Sequence, residues 1–206
     1  MKTEQIEFKK FPKIARLSRE VIITEKIDGT NASIYIGENG EFLTGSRKRW
    51  ITPEDDNFGF SRWAHEHKEE LTTLGKGHHF GEWWGSGIQR GYGLLKGDKR
   101  FSMFNVSRWC LYGREPKRSP TADPRIDKIQ DVLPECVGLV PVLWSGCFDS
   151  NVVDEILDEL RQNGSQVSLG LLKPEGVVIF HVAGNVCFKK TIEKDEEFKG
   201  KTEGAR

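Results

Sequence analysis

Glu25-Lys26-Ile27-Asp28-Gly29-Thr30-Asn31 sets a lysine among acids between two apolar runs, and the fold is read outward from it. Before it, Val21-Ile22-Ile23 reads as a strand entering a core. After it, Ala32-Ser33-Ile34-Tyr35-Ile36 alternates small or polar residues with apolar ones, the period of a half-buried strand. Gly29 permits a tight bend between the two. A lysine in such a bend can act as a nucleophile once its ammonium loses a proton, which a partly desolvated or cation-flanked site favours.

Downstream, Glu38-Asn39-Gly40 is a hairpin signal, because Asn-Gly accepts the positive φ of a tight turn. Glu41-Phe42-Leu43-Thr44 is then the returning strand, and it delivers Gly45-Ser46-Arg47-Lys48-Arg49 to the Lys26 end of the sheet. Upstream, residues 1–19 are polar with spaced apolar anchors (Ile6, Phe8, Phe11, Ile14, Leu17) and predict an arm packed on the domain. Apolar spacing predicts a helix from Phe58 to Leu74, with Phe60, Trp63, Ala64 and Leu71 inward and Gly75 ending it. Glu54-Asp55-Asp56 suits the start of that helix as a capping cluster. His65 and His67, two apart, do not share a helical face and read as surface residues.

His78 to Gly85 is a short strand that carries Glu82. The loop Gly85-Ser86-Gly87-Ile88-Gln89-Arg90-Gly91-Tyr92-Gly93 misses the dinucleotide fingerprint, since Arg90 stands where the third glycine belongs. It reads as a mobile loop bringing Arg90 and Tyr92 near a ligand. Phe101 to Val106 alternates toward Trp109-Cys110-Leu111 as a further strand, and Tyr112 to Pro124 is a long Pro- and Arg-rich connection. Val137 to Trp144 reads as one buried strand. Ser150 caps a helix from Asn151 to Asn163, with Val153, Ile156, Leu157 and Leu160 inward and Gly164 closing it. Glu175 to Phe180 and Val186 to Thr191 form a strand pair turning at Ala183-Gly184-Asn185. Many strands with few helices argue an α+β fold with antiparallel sheets and flanking helices, in one domain.

Lys plus Arg equals Asp plus Glu, at 31 each, so whole-chain charge points to no polyanion partner. Any nucleic-acid surface is local, and two basic clusters offer one: Arg47-Lys48-Arg49-Trp50, and Arg114 to Arg118 with Lys117 between. The four cysteines, Cys110, Cys136, Cys147 and Cys187, form no CxxC pair or metal-spaced set and read as reduced core thiols. No run approaches a membrane span and Met1-Lys2-Thr3-Glu4 opens no apolar segment, so the expected setting is intracellular, soluble and cytoplasmic, with no membrane partner.

Taken in order, Glu25-Lys26-Ile27-Asp28-Gly29-Thr30-Asn31, Phe80-Gly81-Glu82, Phe104, Glu175-Gly176-Val177-Val178 and Phe188-Lys189-Lys190 resemble the covalent nucleotidyltransferase superfamily of ligases and RNA-capping enzymes. The resemblance is greatest to ATP-dependent RNA ligases of the RNA ligase 2 type, whose nucleotidyltransferase domain begins with a Glu-Lys-x-x-Gly-Thr-Asn turn. It covers residues 20–192 and implies a ligase-type nucleotidyltransferase (ATP-grasp-like adenylylation) domain.

By that resemblance Lys26 attacks the α-phosphate of ATP, carries AMP as a phosphoramidate, and passes it to a 5′-phosphate that a 3′-hydroxyl then attacks. The implied partner is RNA with 5′-phosphate and 3′-hydroxyl ends. Glu175 matches the acid that holds Mg²⁺ (or Mn²⁺) or its waters, and Lys189 or Lys190 the lysine that neutralises α-phosphate charge. Glu82 matches the acid that hydrogen-bonds a ribose hydroxyl, Phe104 the aromatic stacked on adenine, and Glu25 and Ile27 flank the nucleotide. Arg47 matches the arginine that contacts nucleotide and 5′-phosphate end, and Asn31 a residue near the reacting ends.

Each has a plainer reading beside it: Glu82 as a satisfied structural acid, Phe104 as core, the lysine pair as a solvated strand end. The family pattern has two lysines one residue apart, and Thr191 or Cys187 holds the second place here; Asn105 stands where an acid often follows the aromatic. The layout expected is a single nucleotidyltransferase domain over 1–206, with arm 1–19, a charged tail 193–206 and no separate C-terminal domain. Ligases of this family usually carry such a domain to grip duplex substrate, so the expectation is either a minimal ligase relying on the local basic clusters or a protein partner that supplies the grip. DNA ligases and GTP-using capping enzymes share the lysine chemistry, but Gly29-Thr30-Asn31 favours the RNA ligase; a non-catalytic nucleotide- or RNA-binding relic is the reading from another class.

Overall fold

The apolar runs on either side of Lys26 are present as two strands that belong to different sheets. The structure is a computed structural model and describes residues 8–104, 133–168, 170–193 and 195. Strand β1 is Glu20–Lys26 and β2 is Thr30–Ile36. The hairpin partner β3 (Phe42–Ser46) follows, then the two-residue β4 (Trp50–Ile51). After helices α1 (Phe60–Glu66) and α2 (Lys68–Thr72) come β5 (Gly77–Gly85), β6 (Lys99–Met103), β7 (Val137–Leu139) and β8 (Val142–Cys147). Helix α3 (Ser150–Asn163) precedes β9 (Gly176–His181) and β10 (Val186–Thr191).

One sheet has the order β10-β9-β1-β8, the other β4-β3-β2-β5-β6-β7. The Lys26 turn is thus the chain's crossing from the first sheet to the second. All pairings are antiparallel except β6 with β7, which is parallel. On β1 the pleat sends Val21 and Ile23 to the face covered by α3, where Val153, Ile156, Leu157 and Leu160 close a core with Val177 and Ile179. On β2, Ala32, Ile34 and Ile36 face α1 and α2 and pack with Phe60, Ala64, Leu71, Trp83 and Phe101. Asp56 caps the first helical turn through the Ser61 and Arg62 amides, the role expected of the acidic cluster.

Several local expectations are corrected. The helix expected over 58–74 is two short helices, broken at His67, whose φ of −102° and ψ of 18° leave helical geometry. The strand expected over Val137–Trp144 is two strands in different sheets; Pro141 has no N–H for a ladder, and the chain recrosses there. Asp149, rather than Ser150, caps α3 by accepting from the Asn151 amide. The arm is not packed over its described residues: Phe8, Phe11, Ile14 and Leu17 are all exposed. Cys147 and Cys187 are exposed as well, so neither is a core thiol, whereas Cys136 is half-buried and packs against the core between β2 and the helices. The strand through Leu111 is seen only as far as Met103, and Ile6, Asn105 to Leu111, Cys110, the 112–124 connection and nearly all of the 193–206 tail lie outside the described residues.

Candidate active site at the Lys26 turn

Gly29 is required less for its bend than for closeness to β5. A Cβ there would lie 2.5 Å from the Trp83 carbonyl oxygen and 2.8 Å from Trp84 Cβ. This approach lets the Gly29 amide donate to Glu82 Oε1 at 3.2 Å, while Asn31 Nδ2 donates to Glu82 Oε2 at 3.2 Å. Glu82 therefore clasps both ends of the bend. Burial pushes its carboxyl up to about 7, opposed by the charge of Lys26 and by those two hydrogen bonds.

Lys26, the last residue of β1, donates from Nζ to Glu175 Oε2 at 2.5 Å. Glu175 immediately precedes β9, and the pair forms because Lys26 lies opposite Gly176 in the β1–β9 register. Both side chains are mostly shielded, at 24% and 13% exposure, so the attraction is weakly screened.

The rest of the turn is held from behind by residues that sequence patterns missed or read otherwise. The Asp28 amide donates to the Tyr92 hydroxyl at 2.7 Å, and Arg90 Nε donates to Asp28 Oδ2 at 2.9 Å. Arg90 also donates to the Lys173 carbonyl at 2.7 Å, which ties the turn to the segment before Glu175. Arg90 and Tyr92, read as riding a mobile loop, are fastened to the turn itself; Tyr92 is buried, and burial pushes its phenol up. Glu25 is 1% exposed and points to the α3 side, where Ser165 Oγ donates to Oε1 at 2.5 Å and the Gln166 amide to Oε2 at 2.8 Å. Burial raises its carboxyl above the ordinary value despite these donors. No local pattern announces Ser165, which stands 140 positions from Glu25.

Sheet parity separates the two late lysines. Directly opposed residues of an antiparallel ladder share a face. Thr24, Val178 and Lys189 are opposed in turn, so Lys189 is on the face of Lys26. Glu25, Val177 and Lys190 are opposed likewise, and Lys190 donates to Asp154 of α3 at 2.5 Å. Lys190 is thus on the far face, away from Lys26. Thr191, two residues beyond Lys189, shares the Lys26 face and takes the second place of the expected lysine pair.

The remaining sequence candidates are placed as follows. Ile27 is buried with Trp84, Tyr92 and Val140, and Phe104 packs half-buried against that cluster. Arg47 is exposed just beyond β3, near the Asn31 end of the sheet. A cavity of about 450 Å³ opens beside Trp84, lined by Ser102, Pro141, Gln166 and Val167; neither Lys26 nor Phe104 lines it. No group of three or more His, Cys, Asp or Glu suited to a metal occurs among the described residues. Glu175 alone still fits a hard cation such as Mg²⁺, which takes one or two carboxylates and fills its sphere with waters and substrate phosphates.

Comparison with known proteins accords with this geometry. A family model described as RNA ligase matches residues 19–194. No curated protein matches the sequence. Among solved structures, a lysine-to-alanine mutant of Naegleria gruberi RNA ligase with ATP and Mn superposes with a TM-score of 0.56 at 20% identity, over 84% of this chain and 50% of that one. A lysine-to-methionine mutant with AMP and Mn gives 0.55 at 17% identity, over 85% and 50%. The same Naegleria enzyme with PPi gives 0.56 at 19% identity, over 84% and 50%. At such identities the likeness shows the fold alone, an α+β fold shared with these RNA ligase structures, and the chain spans about half the length of these solved proteins. With the family model matched across both sheets and the Lys26 turn that joins them, the chain belongs to the RNA ligase family.

Proposed function

We propose that this chain acts as the nucleotidyltransferase domain of an ATP-dependent RNA ligase, with Lys26 as the residue that carries AMP. The observation that carries the reading is the meeting of Lys26, Glu175 and Glu82 at the crossing between the two sheets. The ATP and Mn named with the Naegleria structures support the choice of nucleotide and of a divalent cation.

The neutral Lys26 amine attacks the α-phosphorus; an N–P bond forms, the bond to pyrophosphate breaks, and the amine's proton passes to solvent. A 5′-phosphate oxygen of the RNA then takes the adenylyl group, and the Lys26 nitrogen leaves and regains a proton. Attack by a 3′-hydroxyl on the activated 5′-phosphorus forms the phosphodiester, breaks the bond to AMP, which leaves, and releases the hydroxyl proton to solvent. Glu175 would hold a divalent cation, which when bound would supply positive charge against the phosphates.

Lys189, on the same face, places its charge toward the α-phosphate oxygens. Glu82 offers a carboxyl to a ribose hydroxyl, and the Phe104 ring lies against the cluster behind Ile27 as a wall for the base. Arg47 and Asn31, at the mouth, receive the 5′-phosphate end. Incubation with ATP or GTP labelled at the α-phosphate, with Mg²⁺ or Mn²⁺, tests the reading. Label retained on the protein from ATP supports it, label from GTP alone assigns capping chemistry, and no label from either overturns it.

A further inference from the structure

The side chains of the Lys26 site leave unused an aromatic surface on the same sheet face as Glu82. On β5, His78, Phe80 and Glu82 alternate onto one face, in steps of roughly 7 Å for two residues. In the ladder, Glu82 is opposed to Asn31, Phe80 to Ser33 and Gly45 and through them to Trp50, and His78 to Tyr35 and Leu43. Rows of this face therefore lead outward from the turn.

Their rings form a continuous track. His78 and Phe80 stack with centroids 5.5 Å apart and planes 6° from parallel. Trp50 stacks on His78 at 6.1 Å and 21°, and Tyr35 is 4.7 Å from His78. Gly45 makes this possible: a Cβ there would be 3.3 Å from Trp50 Cε3, so the bare backbone lets the indole lie across β3 toward Tyr35 and His78. Trp50 remains 50% exposed, Phe80 44% and Leu43 42%. Arg47 and Lys48, just before Trp50, are exposed, whereas Arg49 is paired with Asp55 and Glu38 with Lys76.

We propose that this face is a stacking track for unpaired bases of the RNA strand, with Trp50 as its principal platform and Arg47 and Lys48 meeting the phosphates. The proposal rests on the ligase reading for its choice of RNA, and names where the strand lies as it leaves the reacting end. Flat rings beside exposed cations are the combination that single strands use, because every base offers a π-face and every linkage a charge. The track starts one row from Glu82 and Asn31, so a strand whose end is at the site runs onto it.

The test is equilibrium binding, by fluorescence anisotropy at fixed salt, of a roughly twelve-nucleotide end-labelled RNA, single-stranded or annealed as a blunt duplex. Trp50→Ala weakens single-strand binding by about tenfold and duplex binding by less than about twofold. Trp50→Phe keeps most of the affinity, which separates loss of stacking from loss of fold. Trp50→Lys weakens single-strand binding despite the added charge, and Lys48→Ala lowers the log-affinity against log-salt slope by about 0.7. Trp50→Ala binding as tightly as the unaltered protein, Trp50→Lys binding more tightly, or no preference for single strand over duplex each overturns the proposal. The ligase reading fails by a separate result, absence of nucleotide label on the unaltered protein, which leaves the binding comparison intact.

Discussion

Lys26 Nζ donates to Glu175 Oε2 across 2.5 Å, so the last residue of β1 is joined to the residue just before β9 at the crossing between the two sheets. Glu175 orders the lysine, and in the proposed reaction it is also the carboxylate nearest the nucleophile.

Glu175→Gln keeps the shape and removes the charge. Formation of the labelled protein adduct falls by about a hundredfold or more, the scale of losing a charge aimed at the reacting group. Circular dichroism of the variant stays that of the unaltered protein. An adduct rate within a few-fold of the unaltered protein removes Glu175 from the mechanism.

Lys189 and Lys190 separate by face. Lys189→Ala abolishes most adduct formation, because Lys189 shares the side of Lys26. Lys190→Ala costs about 1 kcal/mol or less of stability, since its pair with Asp154 is exposed at 39% and 60%, and adduct formation drops only a few-fold. The reverse ranking, measured side by side with labelled ATP, contradicts the parity argument.

Glu82 makes stability depend on pH in a defined direction. Its folded value is raised, from the ordinary 4.5 to about 7, so the folded state holds the proton more tightly than the unfolded chain does. Its contribution is greatest below about pH 4.5 and declines as pH rises to about 7, by at most about 3 kcal/mol. Urea denaturation at several pH values shows this decline in the unaltered protein, and Glu82→Gln flattens it. Parallel curves for the two proteins contradict the assignment.

Ser165→Ala takes a donor from the buried Glu25 carboxylate. A buried acceptor short of a partner costs about 1–3 kcal/mol, which lowers Tm by several degrees in a chain of this size. Burial holds the Glu25 carboxyl above its ordinary value, so the loss grows as pH rises and the carboxyl ionises, and shrinks in acid. A Tm unchanged at pH 8 shows that the Gln166 amide alone suffices.

What the sequence made legible was whatever repeats locally. The turn around Lys26 is marked by an apolar run before it and alternation after it, the inner face of α3 by its apolar spacing, and the β2–β3 hairpin by Asn39-Gly40. The side of the sheet that Lys189 and Lys190 occupy depends on the register of β10 on β9 and of β9 on β1, which no local pattern encodes. The clasp behind the turn was hidden for the same reason: Asp28 meets Arg90 62 positions away, and Glu25 meets Ser165 140 positions away. Val137 to Trp144 looked like one strand because burial makes both halves apolar, although they belong to different sheets. The arm failed differently. Its apolar spacing was real, but Phe8, Phe11 and Ile14 cover no core.

The most direct measurement of the central claim is the site of nucleotide attachment. After incubation with ATP and Mg²⁺, the protein is digested without acid exposure and its peptides are mapped by mass spectrometry. The account predicts AMP on Lys26, within the peptide that carries Ile27 and Asp28, and its absence from Lys26→Ala. AMP attached to any other residue, or an adduct that persists in Lys26→Ala, contradicts it.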